Sequence, residues 1–494
     1  MKLNYKRTIY VGFAFFIILA FWQAYDAIIP LMLTNHFGLP QWASGAVMAL
    51  DNVLAVFMLP LFGAISDRTK TKMGKRTPFI LIGTLIAVVA FIFLAVVDGI
   101  QLSSIGDGIK DAYAAQIEAR DAAYTRLSDA LASGNTVLED SARLEITAIE
   151  EAIKGIRAET FEIVKTNVVP LVIFILVLLV VLVAMAIFRS PAVALMPDVT
   201  VKPLRSKGNA IINLVGTAGA IIVLGLGMLF GTSKAYMSYV GYVGAVVAAM
   251  IIALILFKLL VKENEWAEEM EKDTVKYGIE EKEETNEGTR KLTRSEKFSL
   301  IFILASVALW YIGYNSITSK YSVYASNELG FDYNITLIVA QAAAIVAYIP
   351  VGIISSKIGR KKSILAGIIM LASAFFLGTF ITPISPEILM FPLFALAGIG
   401  WATINVNSFP MVVELAKGGE VGKYTGYYYT ASMAAQIIAP TLSGVLYEIN
   451  MRAFFFPFGT VFVILSFVTM LFVKHGDSIP ERQGALESLG GADD

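Results

Sequence analysis

Three ionisable side chains stand out inside apolar stretches of this sequence. Asp26 closes the run Trp22-Gln23-Ala24-Tyr25-Asp26, Asp51 sits beside Asn52, and Arg189 follows Phe188. A charge in hydrocarbon costs roughly 2.5–3.5 kcal/mol on insertion scales, so such a residue faces a cavity or a partner. A carboxyl group favours its neutral form in an apolar setting and its anion beside a guanidinium. A group that alternates between the two settings takes up a proton in one and gives it up in the other. Asp26 and Asp51 are therefore candidate cation-coupling groups. Arg189 is their natural charge partner, or a donor to ligand hydroxyls. The plainer alternative for each is an ion pair between helices. Asp198 follows Arg189 by nine residues, a helical rise of about 13 Å, which sets Arg189 well inside its segment.

A second group is polar but uncharged. Trp22, Gln23, Tyr25 and Asn52 lie close to the two acids along the chain. Tyr311, Tyr314, Asn315, Gln341, Trp401, Asn405, Asn407, Tyr428 and Gln436 are spread through apolar stretches of the C-terminal half. Amides and hydroxyls supply donors and acceptors, and aromatic rings supply flat faces, the combination a sugar ring requires. Taken singly, each could instead be an interhelical hydrogen bond or an interfacial aromatic. Tyr427, Tyr428 and Tyr429 follow one another on a helix and cannot all face one cavity. Lys320, near the end of its stretch, is expected to snorkel to the interface.

The elements that position these residues are read from hydropathy. Charged residues are only 16% of the 494 and hydrophobic ones 56%, against about 25% charged in soluble domains. With a mean hydropathy of +0.69, lipid is the main solvent. A helix crossing about 30 Å of hydrocarbon needs about 20 mostly apolar residues. Twelve stretches qualify: 8–31, 41–65, 77–97, 167–196, 207–230, 236–260, 298–324, 334–355, 362–382, 387–413, 424–447 and 452–474. The chain reads as an all-α membrane protein. Its basic N-terminus leads into an apolar run reaching Pro30, too long for a cleavable leader, and is read as the first membrane helix. Cysteine is absent and His36 and His475 are the only histidines, so no disulfide, metal centre or cofactor is expected. A net charge of −1 implies no bulk affinity for nucleic acid. No HExxH, GxSxG or phosphate-binding loop occurs, and an enzyme is not expected.

Lysine and arginine in the short loops set the orientation. Arg68, Lys70, Lys72, Lys75 and Arg76 follow the second stretch, Lys202, Arg205 and Lys207 the fourth, and Lys357, Arg360, Lys361 and Lys362 the eighth. Segments 32–41 and 325–333 hold none. This places both termini in the cytoplasm of a multi-pass protein of the inner (plasma) membrane. Segment 98–166 then lies outside, with thirteen acids against seven bases. Its apolar residues recur at helical spacing on either side of Ser133-Gly134-Asn135, a turn signal, which predicts a two-helix hairpin. The hairpin is either a tolerated insertion, or a lid or dock for an external partner.

An internal repeat joins the halves. Gly63-Ala64-Ile65-Ser66-Asp67-Arg68, then Gly74-Lys75-Arg76, is echoed by Gly352-Ile353-Ile354-Ser355-Ser356-Lys357, then Gly359-Arg360. Pro197-Asp198 is echoed by Pro410 and Glu414 at the corresponding helix end. The first loop resembles the signature loop of the major facilitator superfamily. Residues 66–84 and Ser190 to Asp198 resemble two of its sugar-carrying branches, the sucrose:proton symporter-like proteins and the glycoside–pentoside–hexuronide:cation symporters. The resemblance implies the major facilitator fold, with twelve transmembrane helices in two six-helix bundles (1–97 with 167–261, and 298–475). Between the third and fourth helices stands the external hairpin, 98–166. A cytoplasmic linker, 262–297, joins the bundles, and a cytoplasmic tail follows, 476–494.

The resemblance also implies function: secondary active transport, with proton-coupled symport of a sugar or glycoside by alternating access. Gly63, Asp67, Arg68, Gly74 and Arg76, with Asp198 and Glu414, are the expected conformational latch, its ion pairs holding in one state and breaking in the other. Departures from the family pattern bear on the ion. The glycoside branch has a sugar-binding acid where this chain has Arg189, and sodium-binding acids where it has Ala55 and Leu59. Plant sucrose carriers have an arginine at Val193. The expected coupling ion is a proton, with sodium the alternative, and the expected form a monomer in the bilayer. Other readings are a drug or metabolite exporter of the same fold and, from another class, a membrane sensor or scaffold using the hairpin.

Overall fold

The computed structural model describes residues 3–201, 204–276, 292–415 and 421–476. Lys202, Lys417, residues 277–291 of the expected linker and residues 477–494 of the tail lie outside the described residues. All regular structure among the described residues is helical. The first half runs through α1 (Tyr5–Leu31), α2 (Gln41–Met48), α3 (Leu50–Arg68) and α4 (Thr77–Ser104). A hairpin of α5 (Asp107–Ser133) and α6 (Thr136–Thr166) follows, then α7 (Val169–Asp198), α8 (Arg205–Phe230) and α9 (Val240–Leu260). After α10 (Glu263–Lys276) the second half comprises α11 (Arg294–Thr318), α12 (Tyr321–Val323), α13 (Tyr333–Ile358), α14 (Arg360–Gly378), α15 (Met390–Val413) and α16 (Val421–Leu471). Only a turn at Ala49 separates α2 from α3, and together they make one crossing. α16 makes two, because Asn450 adopts an extended backbone (φ −157°, ψ 102°) between them. Twelve crossings result among the described residues.

The halves repeat one packing scheme. In the first, α1 packs on α8 and α4 on α7; in the second, α11 packs on α16 and α14 on α15. Capping fixes several starts. The Asn4 side chain accepts from Arg7 N, and Thr293 and Glu296 form a reciprocal capping box at α11, each satisfying donors that a helix start leaves free.

The hairpin follows the same logic in water. Gly134, at φ +66°, ends α5 in the left-handed conformation, and Asn135 caps α6 by accepting from Leu138 N. Tyr113, Tyr124 and Leu127 of α5 bury against Ile146, Ile149 and Ile153 of α6, each such burial contributing roughly 1.5–3 kcal/mol. The hairpin begins at Asp107 rather than at residue 98, because α4 continues to Ser104. That extension carries Asp98 into the bundle, where it is fully buried.

The halves meet on the face that bears the hairpin. There α2 and α16 cross backbone to backbone. A Cβ on Gly45 would lie 2.1 Å from the Pro440 carbonyl oxygen, and one on Gly444 would lie 2.6 Å from that of Gln41. Thr232 and Tyr333 share a hydrogen bond of 2.6 Å, Ser233 donates to Asp332 at 2.8 Å, and Asn327 donates to Asn35 at 2.8 Å. Toward the opposite, linker-bearing face, α3 loses this cover, and Phe57, Leu61 and Ile65 are exposed.

Candidate functional site

Two connected chambers of about 440 and 410 Å³ occupy the centre of the molecule. Leu19, Trp22, Asp26, Asn315 and Thr318 line both. Asp26 thus projects into the cavity where the chambers join. On α1, Trp22 and Asp26 are four residues apart and stack on one helix face. In the second chamber, Asp51 and Asn52 enter from α3 and Arg189 from α7. Asp51 Oδ1 accepts from the Asn52 backbone at 2.6 Å and from its side-chain amide at 2.7 Å. The Arg189 guanidinium lies over the Trp22 ring, 5.6 Å from its centroid. Asp26 feels the charge of Asp51, and Asp51 that of Arg189, so the three ionisable residues are linked electrostatically.

The second half supplies the opposite wall. Tyr314 and Trp401 stack at 3.6 Å with an interplanar angle of 3°, and Tyr311 meets Trp401 edge-on at 5.3 Å. Gln341 Nε2 donates to Gln23 Oε1, a bond between the halves within the site. Asn315 donates to the Tyr311 carbonyl at 2.9 Å, while Asn405 and Gln436 line the second chamber. Several polar atoms of this lining are buried without a hydrogen-bond partner: Trp22 Nε1, both side-chain heteroatoms of Asn213, Gln341 Oε1 and Asn405 Oδ1. Such orphans are costly and need a ligand or water to complete them.

Three expected site residues are not in the lining. Tyr25 is fully buried against Phe21 and Trp22 inside the first half. Asn407 is buried and donates to the Thr403 carbonyl at 2.9 Å, a helical back-bond. Tyr428 sits behind the wall, sharing a 2.9 Å hydrogen bond with Ser408 and a further one with Tyr311. Tyr429 faces the second chamber and Tyr427 is exposed, so the tyrosine run divides as its spacing requires.

Lys320 corrects another expectation. It does not snorkel: it is fully buried, and its Nζ donates to Ser44 Oγ at 2.6 Å. The helix breaks at Ser319, which turns Lys320 into the contact with α2. Nearby, Glu448 accepts from Gln41 N at 2.6 Å. His36, given no role by its position, pairs with the buried Asp98 at 2.8 Å. Asn213 of α8, four residues after Asn209, also lines the first chamber, although the sequence pattern did not single it out.

The expected latch residues form two networks, each within one half. Arg76 donates to Asp198 at 2.7 Å, to Ser66 at 2.5 Å and to Asp67. Burial opposes its charge, but hydrogen bonds and attraction to Asp198 and Asp67 outweigh this and hold the guanidinium above its ordinary pKa. Arg68 is exposed and is not the partner of Asp67. Arg360 pairs with Glu414 in the second half. A Cβ on Gly63 would meet Ser190 Oγ at 2.9 Å, so this glycine lets α3 approach α7. Glu263, at the start of α10, accepts from the backbones of Lys75, Arg76 and Thr77 and from the Thr77 hydroxyl, at 2.7–2.8 Å. Gly74, at φ +112°, leaves space for that carboxylate, whose atoms a Cβ would meet at 2.2 Å. Nothing in the sequence pattern marked Glu263 as the plug of this loop.

The family model described as Major Facilitator Superfamily matches residues 163–349 and 333–490, and the one described as MFS/sugar transport protein matches residues 11–108. The chain belongs to the major facilitator superfamily. This multi-pass membrane protein is therefore a transporter of that type. It is 28% identical over 273 residues to an uncharacterised MFS-type transporter of Methanocaldococcus jannaschii, a match covering 54% of this chain and 64% of that relative, so less than two thirds of the relative's length is spanned. Among solved structures, it resembles the inward-open xylose transporter XylE from E. coli (TM-score 0.63, 13% identity, 98% of each chain). It also resembles the nucleoside transporter NupG (TM-score 0.60, 13% identity, 95% of this chain and 100% of that one). A bacterial homologue of ferroportin in an inward-facing state gives a TM-score of 0.61 at 11% identity, covering 95% of this chain and 99% of that one. At these identities the likeness is one of fold.

Proposed function

We propose that this facilitator couples proton entry to symport of a sugar or glycoside by alternating access, in the plasma membrane, with the hairpin outside and the linker inside. One observation carries the reading: Asp26 stands where two chambers meet, between an Asp51–Arg189 group and a wall of amides and stacked aromatics. In the outward-facing form a proton reaches Asp26 and removes its repulsion with Asp51. The substrate then completes the orphaned polar atoms, with its ring against the indoles. Once the cavity faces inward, substrate leaves, water enters, and Arg189 favours the carboxylates in their anionic form, which releases the proton. Ala55 and Leu59 offer no oxygen where sodium would be held, which favours the proton.

Phe375, Phe394 and Phe456 give one chamber an apolar end. This favours a glycoside with an apolar aglycone over a bare sugar. It also supports the second reading, export of an apolar metabolite. Uptake of mono- and disaccharides and aryl glycosides into proteoliposomes, under imposed pH or sodium gradients, separates these. Accumulation that rises with an inward proton gradient is the expected result. Accumulation indifferent to pH but driven by sodium removes the proton from the scheme, and efflux alone supports the exporter.

A further inference from the structure

The hairpin is rooted in the first half by two short connections, residues 105–106 and 167–168, yet much of its polar chemistry reaches the second half. Its core also touches both. Ala235 and Tyr236 of the first half and Ile384 of the second pack against the same cluster of α5 and α6 side chains. Tyr113 meets Tyr236 edge-on at 5.1 Å.

The contacts to the second half gather on one segment. After α12 the chain widens into a π-turn, Tyr324–Leu329, a geometry that departs from the usual helical bonding and recurs at functional sites. Hairpin and α16 arginines bind its carbonyls. Arg120, only 2% exposed, donates to the Asn327 carbonyl at 2.6 Å. Arg452, just past the Asn450 break in α16, donates to the Glu328 carbonyl at 2.9 Å. The Glu328 carboxylate lies between two arginines, Arg157 of the hairpin at 3.7 Å and Arg452 at 3.5 Å. Arg452 in turn reaches back to Glu150 and the Tyr124 hydroxyl, and its guanidinium lies 5.4 Å from the Tyr124 ring centroid. Charges therefore alternate across the seam in the order Arg157, Glu328, Arg452, Glu150.

Fully exposed ion pairs contribute little, but these are not fully exposed. The side chains of Arg157, Glu328 and Arg452 are 20%, 19% and 23% accessible. Removing one partner from such a group strands another charge in a poorly hydrated place. Alternating access requires the halves to part on one face as they close on the other. The hairpin moves with the first half, so opening its face must break the bonds of Arg120, Arg157 and Glu150 to the second half together.

We propose that the hairpin is a built-in clasp. It gates the outer mouth by stabilising the form closed on its own face, and Arg120, Glu150, Arg157, Glu328 and Arg452 set the balance between the two forms. Each half is also packed through its own helices, α1 on α8 and α4 on α7 in the first, α11 on α16 and α14 on α15 in the second. The clasp acts on the conformational equilibrium rather than on the substrate.

The absence of cysteine permits a direct test. Spin labels on Ser103→Cys, at the hairpin-face end of α4, and Thr382→Cys, in the loop after α14, report the separation of the halves in nanodiscs. The full-length parent should show mainly the short distance. Arg452→Gln and Arg120→Gln should raise the long-distance population by about tenfold, the change that 1.4 kcal/mol produces. Arg452→Lys, which keeps a positive charge between Glu328 and Glu150, should hold the short distance closer to the parent than Arg452→Gln does, which separates loss of the clasp from loss of folding. Distances unchanged in folded Arg452→Gln and Arg120→Gln overturn the clasp, and leave the hairpin as an insertion or a dock for an external partner. If those variants do not fold, unchanged distances in folded Glu150→Gln overturn it equally.

Discussion

The two halves share a packing scheme and divide the chemistry of the cavity. The first half brings Asp26, Asp51 and Arg189 to the lining. Among the described lining residues of the second half there is no Asp, Glu, Lys or Arg; it brings Tyr311, Tyr314, Trp401, Gln341, Asn405 and Gln436. In the proposed scheme, equivalent folds carry different tasks: charge change on one side and recognition of a neutral ligand on the other. The Gln23–Gln341 bond is where the two touch inside the site. An ion-coupled carrier needs such contact, because coupling is a free energy shared between two sites.

The sharpest way to break this division is Asp26→Asn. It should abolish gradient-driven accumulation while leaving substrate exchange in place, measured as counterflow in the same vesicles. Loss of both would make Asp26 part of the structure rather than of the coupling. On the other side, Trp401→Ala removes the stacked face and should raise the half-saturation concentration about tenfold with coupling stoichiometry intact, as expected for roughly 1.4 kcal/mol of aromatic contact. A change in stoichiometry there would blur the division. Glu263→Ala should act on neither task. Stripping four donors of a buried carboxylate should cost about 2 kcal/mol, read as a lower melting temperature in detergent with the half-saturation concentration unchanged. Smallest of all, Tyr25→Phe and Asn407→Ala should alter half-saturation by less than about twofold, since both sit outside the cavity and lose at most a local bond.

The fold was largely legible because lipid permits few solutions. Length and hydropathy define the crossings, and the paired glycine–acid–base loops mark the repeat. The turn at Ser133-Gly134-Asn135 and the helical spacing around it give the hairpin. In the site, Trp22 and Asp26 were readable because four residues bring side chains to one face. Tyr25, Asn407 and Tyr428 were not. Their helices are apolar on nearly every side, so residue type alone cannot separate a cavity face from a buried one. Lys320 was misread because no Pro or Gly announces the break at Ser319. Asp98 was placed outside because α4 outlasts its hydropathy signal by about two turns, with Asp98 paired to His36 inside the bundle. Arg452 and Glu328 come together only through a kink and a π-turn, which no local pattern foretells.

The division between the halves is tested most directly by proton movement itself. With a pH-sensitive dye inside proteoliposomes and no gradient imposed, adding a transported glycoside outside should acidify the lumen. Asp26→Asn should carry the glycoside inward without that acidification, while Trp401→Ala should acidify in proportion to its reduced uptake. Glycoside entry with no pH change in the parent protein, or undiminished acidification in Asp26→Asn, would contradict the account.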